Sequence, residues 1–237
     1  MLTITNENNM DLMARYQAKH FDIAIVDPPF GSAGNVHWDK RKQGKFGSKS
    51  GRFGKYHLGG DSSGRGTWDH APSDDYFLEL FRVSKKQIIW GGNYFDLPPT
   101  RNFIIWRKLT ISEKFSMAMA EYAWTNIRGN AKVFDGVPQG KERFHPTQKP
   151  VELYAWILSR YCKPGWKVLD THMGSGSIAV ACHDAGFDLT ACEIDKVYFE
   201  KAMERINKHI AQRELFDNKE MFVSMPLFDP SPEGITF

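Results

Sequence analysis

The stretch from Trp166 to Asp195 constrains the fold most. WKVLD (Trp166–Asp170) reads as a strand, followed by a glycine-rich turn, the helix SIAVACHDAG with Gly186 as its C-cap, and the strand LTACEID. A strand, a helix and a further strand of this kind imply a parallel sheet covered by helices. The rest of the chain agrees. FDIAIVD (Phe21–Asp27) is a near-continuous apolar run, the look of a strand buried on both faces, and Pro28 and Pro29 stop it because proline cannot continue a ladder. Further strands are expected at QIIWGG (Gln87–Gly92), NFIIWRK (Asn102–Lys108) and EYAWTNI (Glu121–Ile127). Helices are expected at Met10–Tyr16, after an N-cap at Ser73, over Pro150–Cys162, and from Lys196 to about Arg213.

Two turns at strand ends carry the chemistry. In VLDTHMGSGSIAVAC the glycines Gly174 and Gly176 let backbone approach a ligand, and the helix that opens near Ser177 offers free N–H groups. Glu193 closes the next strand, where a carboxylate can accept both hydroxyls of a ribose. GSGSIA also satisfies the loose dinucleotide pattern, which leaves an NAD-type oxidoreductase as an alternative. Thr171, His172 and Met173 count against it, because they lengthen the stretch before the glycines. The second turn is Asp27-Pro28-Pro29-Phe30, where two prolines fix φ and aim the Asp27 carboxylate and the neighbouring carbonyls. An exocyclic amine is a poor nucleophile until acceptors on its two N–H groups localise the lone pair. Asp27 and the Pro28 carbonyl can be those acceptors, and Phe30 can stack on the base for about 1–3 kcal/mol. Positioning and electrostatics then carry the rate.

Together these segments resemble the β group of DNA amino-methyltransferases, and look closest to the compact adenine methyltransferases common in phages and prophages. The likeness rests on FDIAIVDPPF, WGGNYF (Trp90–Phe95), IIWRK (Ile104–Lys108), HPTQKPVELYAWIL (His145–Leu158), VLDTHMGSGS (Val168–Ser177) and CEID (Cys192–Asp195). The Asp-Pro-Pro turn precedes the cofactor glycines, the circularly permuted order of that group. The resemblance implies a single α/β domain over residues 1–237 with the Rossmann-like class I methyltransferase sheet: seven strands, mostly parallel, one antiparallel, helices on both faces. It implies S-adenosylmethionine as cofactor, held around Asp27, Asp170, Thr171, His172, Met173, Gly174, Ser175, Gly176, Glu193 and Ile194. Thr147, Gln148, Lys149 and Pro150 would cap its methionine side. The catalytic residues would be Asp27, Pro28, Pro29 and Phe30, and an aspartate at the first position points to adenine N6; cytosine N4 and RNA adenine remain alternatives. Thr171-His172 stand where the family often has Pro-Phe.

The net charge is only +3, so the distribution of charge has to speak for nucleic acid. Residues 31–70 form a basic, glycine-rich stretch in which Lys40, Arg41, Lys42, Lys45, Lys49, Arg52 and Lys55 follow one another with no acid between them, interleaved with Phe46, Phe53 and Tyr56. Such a loop suits double-stranded DNA, where a base must be flipped out for chemistry. Residues 128–145 are a short candidate for target recognition. Gln212-Arg213-Glu214-Leu215-Phe216 resembles the peptide that bacterial proteins insert into the replication sliding clamp, and the family resemblance also implies a homodimer. Cys162, Cys182 and Cys192 have no metal-ligand spacing and read as free thiols, so no metal is expected. With no signal peptide and no apolar run of about 18 residues, the expectation is a cytoplasmic protein.

Overall fold

The computed structural model describes residues 1–30, 71–115, 118–138 and 143–223, with side chains as far as Arg213. The basic stretch 31–70 lies outside the described residues, and with it every cation singled out there for DNA. In chain order the elements are β1 (Leu2–Asn6), α1 (Asn9–Ala14), β2 (Phe21–Val26), α2 (Asp74–Val83), β3 (Ser84–Trp90), a 3-10 turn (Gly92–Tyr94), β4 (Phe103–Lys108), β5 (Ala120–Thr125), β6 (Lys132–Gly136), α3 (Val151–Tyr161), β7 (Lys167–Asp170), α4 (Ser177–Asp184), β8 (Asp188–Glu193) and α5 (Lys196–Val223).

The strands form one sheet in the order β1-β8-β7-β2-β3-β5-β4-β6. Among the described residues eight strands are present where seven were expected, and β5 alone runs against its neighbours β3 and β4. The two strands that sequence reading missed are the two edges. β1 pairs in parallel with β8, Leu2 opposite Leu189, and β6 pairs in parallel with β4, Ile104 opposite Lys132. Edge strands need only one apolar face, so their short alternating sequences carry a weak signal. β6 falls inside the segment proposed for target recognition, which is therefore partly sheet.

The central strands are apolar on both faces because helices cover both. On one face Ile23, Ile25, Ile88, Trp90 and Val168 pack with Leu153 and Ile157 of α3, Ile178 of α4 and Ile206 of α5. On the other, Ala24, Val26, Ile89 and Leu169 pack with Leu12 and Met13 of α1 and Tyr76, Phe77 and Leu80 of α2. Ser73 does occupy the N-cap of α2, but its side chain makes no capping bond; Asp74 and Asp75 in the first turn complement the helix dipole. The final helix runs to Val223, beyond the expected end near Arg213, so the backbone of Gln212–Phe216 is helical. Among the described residues no helix is long and apolar enough to cross a membrane.

Candidate active site

β2 and β7 lie side by side at the centre, Ile23 opposite Val168 and Ala24 opposite Leu169. From this pair the chain order runs outward in opposite directions, through β8 and β1 on one side and β3 on the other. Ligands of open α/β sheets bind in the crevice at the carboxyl ends of such a pair. The two turns singled out in the sequence, far apart along the chain, meet there.

A cavity of about 270 Å³ occupies the crevice. It is lined by Asp27, Pro28, Pro29 and Phe30 from the first turn, by His172, Met173, Gly174 and Ser175 from the second, and by Glu193 and Ile194 at the end of β8. Thr147, Gln148 and Lys149, which lead into α3, close it. Four of the expected cofactor residues, Pro150, Asp170, Thr171 and Gly176, are absent from the lining. Four residues of the lining were not anticipated: His145, Pro146, Tyr154 and Ser177. His145 and Pro146 open the HPTQKP motif itself, and Tyr154 lies one helical turn beyond Pro150 on α3, so helical spacing could have found it.

Asp170 acts behind the wall. Its Oδ1 accepts the His172 N–H at 3.0 Å, and burial pushes its carboxyl up to about 8, with Asp27 and Glu193 nearby adding to the rise. Thr171 is buried too. Its hydroxyl lies 2.6 Å from the Tyr76 hydroxyl and 3.0 Å from His172 Nδ1, and His172 Nε2 lies 3.0 Å from the Asn9 amide. The Thr-His pair thus ties the turn to α1 and α2 by a polar chain, where Pro-Phe could have offered packing alone. Burial depresses the His172 pKa to about 3, which keeps the ring neutral.

Glu193 accepts the Gly174 N–H at Oε2 (2.8 Å) and the Asp195 N–H at Oε1 (2.9 Å). The carboxylate keeps acceptor capacity for a hydroxyl of the ligand. The same geometry weighs against a dinucleotide, because the Gly174 N–H that would face a phosphate is committed to Glu193. The lysine ammonium in the lining is committed as well. Lys149 is buried, ion-paired with Asp27 Oδ2 and lies 3.2 Å from Glu121 Oε2. Its charge is directed at the Asp-Pro-Pro-Phe turn. Burial drives the Asp27 carboxyl above the usual carboxylate range, and the Lys149 ammonium opposes that rise. For Lys149, burial works to lower the pKa, but Asp27 and Glu121 outweigh it and the net shift is upward.

Phe30 lies against the end of β3. Its ring stacks on Tyr94, centroids 4.7 Å apart and planes inclined by 30°. Gly91 makes this possible: φ is +67°, and a Cβ there would stand 1.9 Å from Phe30 Cε1. Gly92 likewise has no room for a Cβ beside Trp124. WGGNYF is therefore the seat of the Asp-Pro-Pro-Phe turn. Elsewhere, among the described residues, His183, Asp184 and His209 bring metal-ligand types together, but Arg213 lies 3.8 Å from the same Asp184 oxygen and supplies positive charge there.

A doubly wound sheet with this pair of turns at its switch point has the architecture of the Rossmann-like methyltransferases, and comparison with known proteins takes the assignment further. The model of the N6/N4 DNA methylase family matches residues 35–204. The chain belongs to that family. The type II methyltransferase M.HpaI of Haemophilus parainfluenzae is 31% identical over 86 residues, which is 36% of this chain and 27% of that protein. Among solved structures, M1.HpyAVI in complex with SAM superposes with a TM-score of 0.54 at 19% identity, covering 87% of this chain and 100% of the other. TTHA0409, a putative DNA modification methylase of Thermus thermophilus complexed with S-adenosyl-L-methionine, gives 0.55 at 16%, covering 88% and 94%. The cytosine-N4-specific PvuII DNA methyltransferase gives 0.52 at 11%, covering 88% and 92%. These structural likenesses establish the fold.

Proposed function

We propose that the chain transfers a methyl group from S-adenosylmethionine to the N6 amine of an adenine flipped out of double-stranded DNA. The observation that carries this reading is the position of Asp27: a carboxylate at the lip of a cofactor crevice, held on one oxygen by a buried ammonium, with the other oxygen left for a substrate N–H. The donor set suits this cofactor. Glu193 keeps acceptor capacity for a ribose hydroxyl, the carboxylates of Asp27 and Glu193 both line the cavity, and the lining ammonium is already paired, which favours a cationic, phosphate-free ligand over a dinucleotide. When bound, S-adenosylmethionine supplies an electrophilic methyl group on a sulfonium.

The protein's own part is to prepare the amine. Asp27 Oδ1 accepts one N–H of the base and the Pro28 carbonyl the other, which localises the nitrogen lone pair. Phe30, supported from behind by Tyr94, presents an aromatic face to the flipped base. The buried surroundings strengthen each of these contacts relative to water. The basic residues of 31–70 would hold the DNA backbone.

The test is to incubate the protein with unmethylated DNA and methyl-labelled S-adenosylmethionine, digest to nucleosides and identify the labelled base. Label in N6-methyladenine, with at least about a 100-fold loss in Asp27→Ala, is the expected result. Label in N4-methylcytosine would overturn the choice of base and keep the mechanism; the absence of label from DNA of several genomes would overturn both.

A further inference from the structure

Asp27 and Lys149 are part of a longer run of charges. Lys149 meets Asp27 Oδ2 on one side and Glu121 Oε2, at 3.2 Å, on another; its ammonium also stands over the Trp90 ring, 5.0 Å from the centroid. Glu121 Oε1 accepts in turn from Lys108 at 2.6 Å. The side chain of Lys149 is 2% exposed and that of Glu121 27%. Glu121 does not line the cofactor cavity. It reaches the catalytic edge because β5 is the antiparallel strand: residues near its start stand beside the ends of β3 and β4.

A lysine ammonium with a single carboxylate partner is a compact charge on a flexible stem, free to swing between the two oxygens. Here two further neighbours hold Lys149 back, a second carboxylate and an aromatic face, so it meets Asp27 at Oδ2 alone. That leaves Oδ1 for the amine. We propose that Glu121, acting through Lys149, is a positioning residue that keeps one oxygen of Asp27 available to the substrate, with Lys108 fixing Glu121 in place. The proposal rests on the methyl-transfer reading of Asp27.

Removing the Glu121 charge frees Lys149 to close on Asp27 and compete with the base. In Glu121→Gln, kcat should fall about 10-fold, the scale of one charge-assisted hydrogen bond, while the Kd for S-adenosylmethionine stays within about twofold. A residue needed only for stability would lower melting temperature and cofactor affinity along with the rate. A second measurement needs no turnover: titration of the Asp27 carboxyl by carbon NMR in the cofactor-free protein, the signal assigned by its loss in Asp27→Asn. Glu121 is a like charge that raises the Asp27 pKa, so Glu121→Gln should move the midpoint down while Lys149, Lys108, Asp170 and Tyr154 stay in place. An unchanged kcat, or an Asp27 midpoint that stays or rises, would overturn the proposal. If the wild type labels no nucleic acid while the midpoint falls as expected, the methyl-transfer reading fails and the charge coupling stands.

Discussion

Gly91→Ala tests how the Asp-Pro-Pro-Phe turn is seated. The added Cβ would lie 1.9 Å from Phe30 Cε1 and 2.5 Å from Cδ1 and Cζ, at a residue whose φ is +67°. Two costs follow. An L-residue in the left-handed region costs about 1–2 kcal/mol, and forcing a methyl into an occupied place about 1–3 kcal/mol. The ring must retreat by about 1.5 Å to reach ordinary contact at 3.4 Å or more, which pushes it toward Tyr94 or into the cofactor crevice. The variant should therefore lose about 2–5 kcal/mol in urea unfolding and a large part of its activity. Repeating the change in a Phe30→Ala background separates the two costs. With the ring gone only the backbone strain remains, so the coupling between the two substitutions should be about 1–3 kcal/mol. A Gly91→Ala protein with unchanged stability and rate would refute the reasoning. So would full additivity with Phe30→Ala, because it would mean that the ring does not rest on Gly91.

Two further perturbations address buried charge. Lys149→Met leaves Asp27 and Glu121 without their shared cation, and unfolding should show a loss of about 3–5 kcal/mol, while the acid limb of the pH–rate profile moves to higher pH; an acid limb that stays in place would separate Lys149 from Asp27. Asp170 has its folded pKa raised to about 8 from an ordinary 3.8, so the native state holds the proton that the unfolded chain releases. Its favourable contribution is complete below about pH 4 and is lost as pH rises toward 8, by about 4 kcal/mol at pH 7. Asp170→Asn should flatten the fall of melting temperature across that window; parallel curves for variant and wild type would remove Asp170 as its cause.

The sequence was most readable where chemistry and burial coincide. The central strands β2, β3, β7 and β8 were legible from their apolar residues, and residues at the ends of β2, β7 and β8 line the crevice. The edges were hard to see for the opposite reason: Lys132 and Val133 in β6 are exposed, and five-residue strands leave little pattern. Residue type alone did not settle direction within the site. Lys149 sits in a motif associated with the cofactor, yet its ammonium faces Asp27, because the partner that draws it, Glu121, arrives from a strand with no motif of its own. Asp170 and Thr171 stand in the turn but outside the cavity lining, and a strand end does not reveal whether a side chain faces cavity or core.

The pairing of β1 with β8 has a consequence for how the protein comes into being. The cofactor half of the sheet, β1-β8-β7, is built from the first of these strands and the last two. Synthesis releases Leu2 long before its partner Leu189. Throughout that interval β1 has an unpaired edge, and β2 waits for β7 with its Asp-Pro-Pro-Phe turn already synthesised. The long sequence separation makes closure slow relative to local helix formation. Nascent fragments should therefore display the Asp-Pro-Pro-Phe turn without being able to hold a cofactor, so binding competence would appear late and all at once.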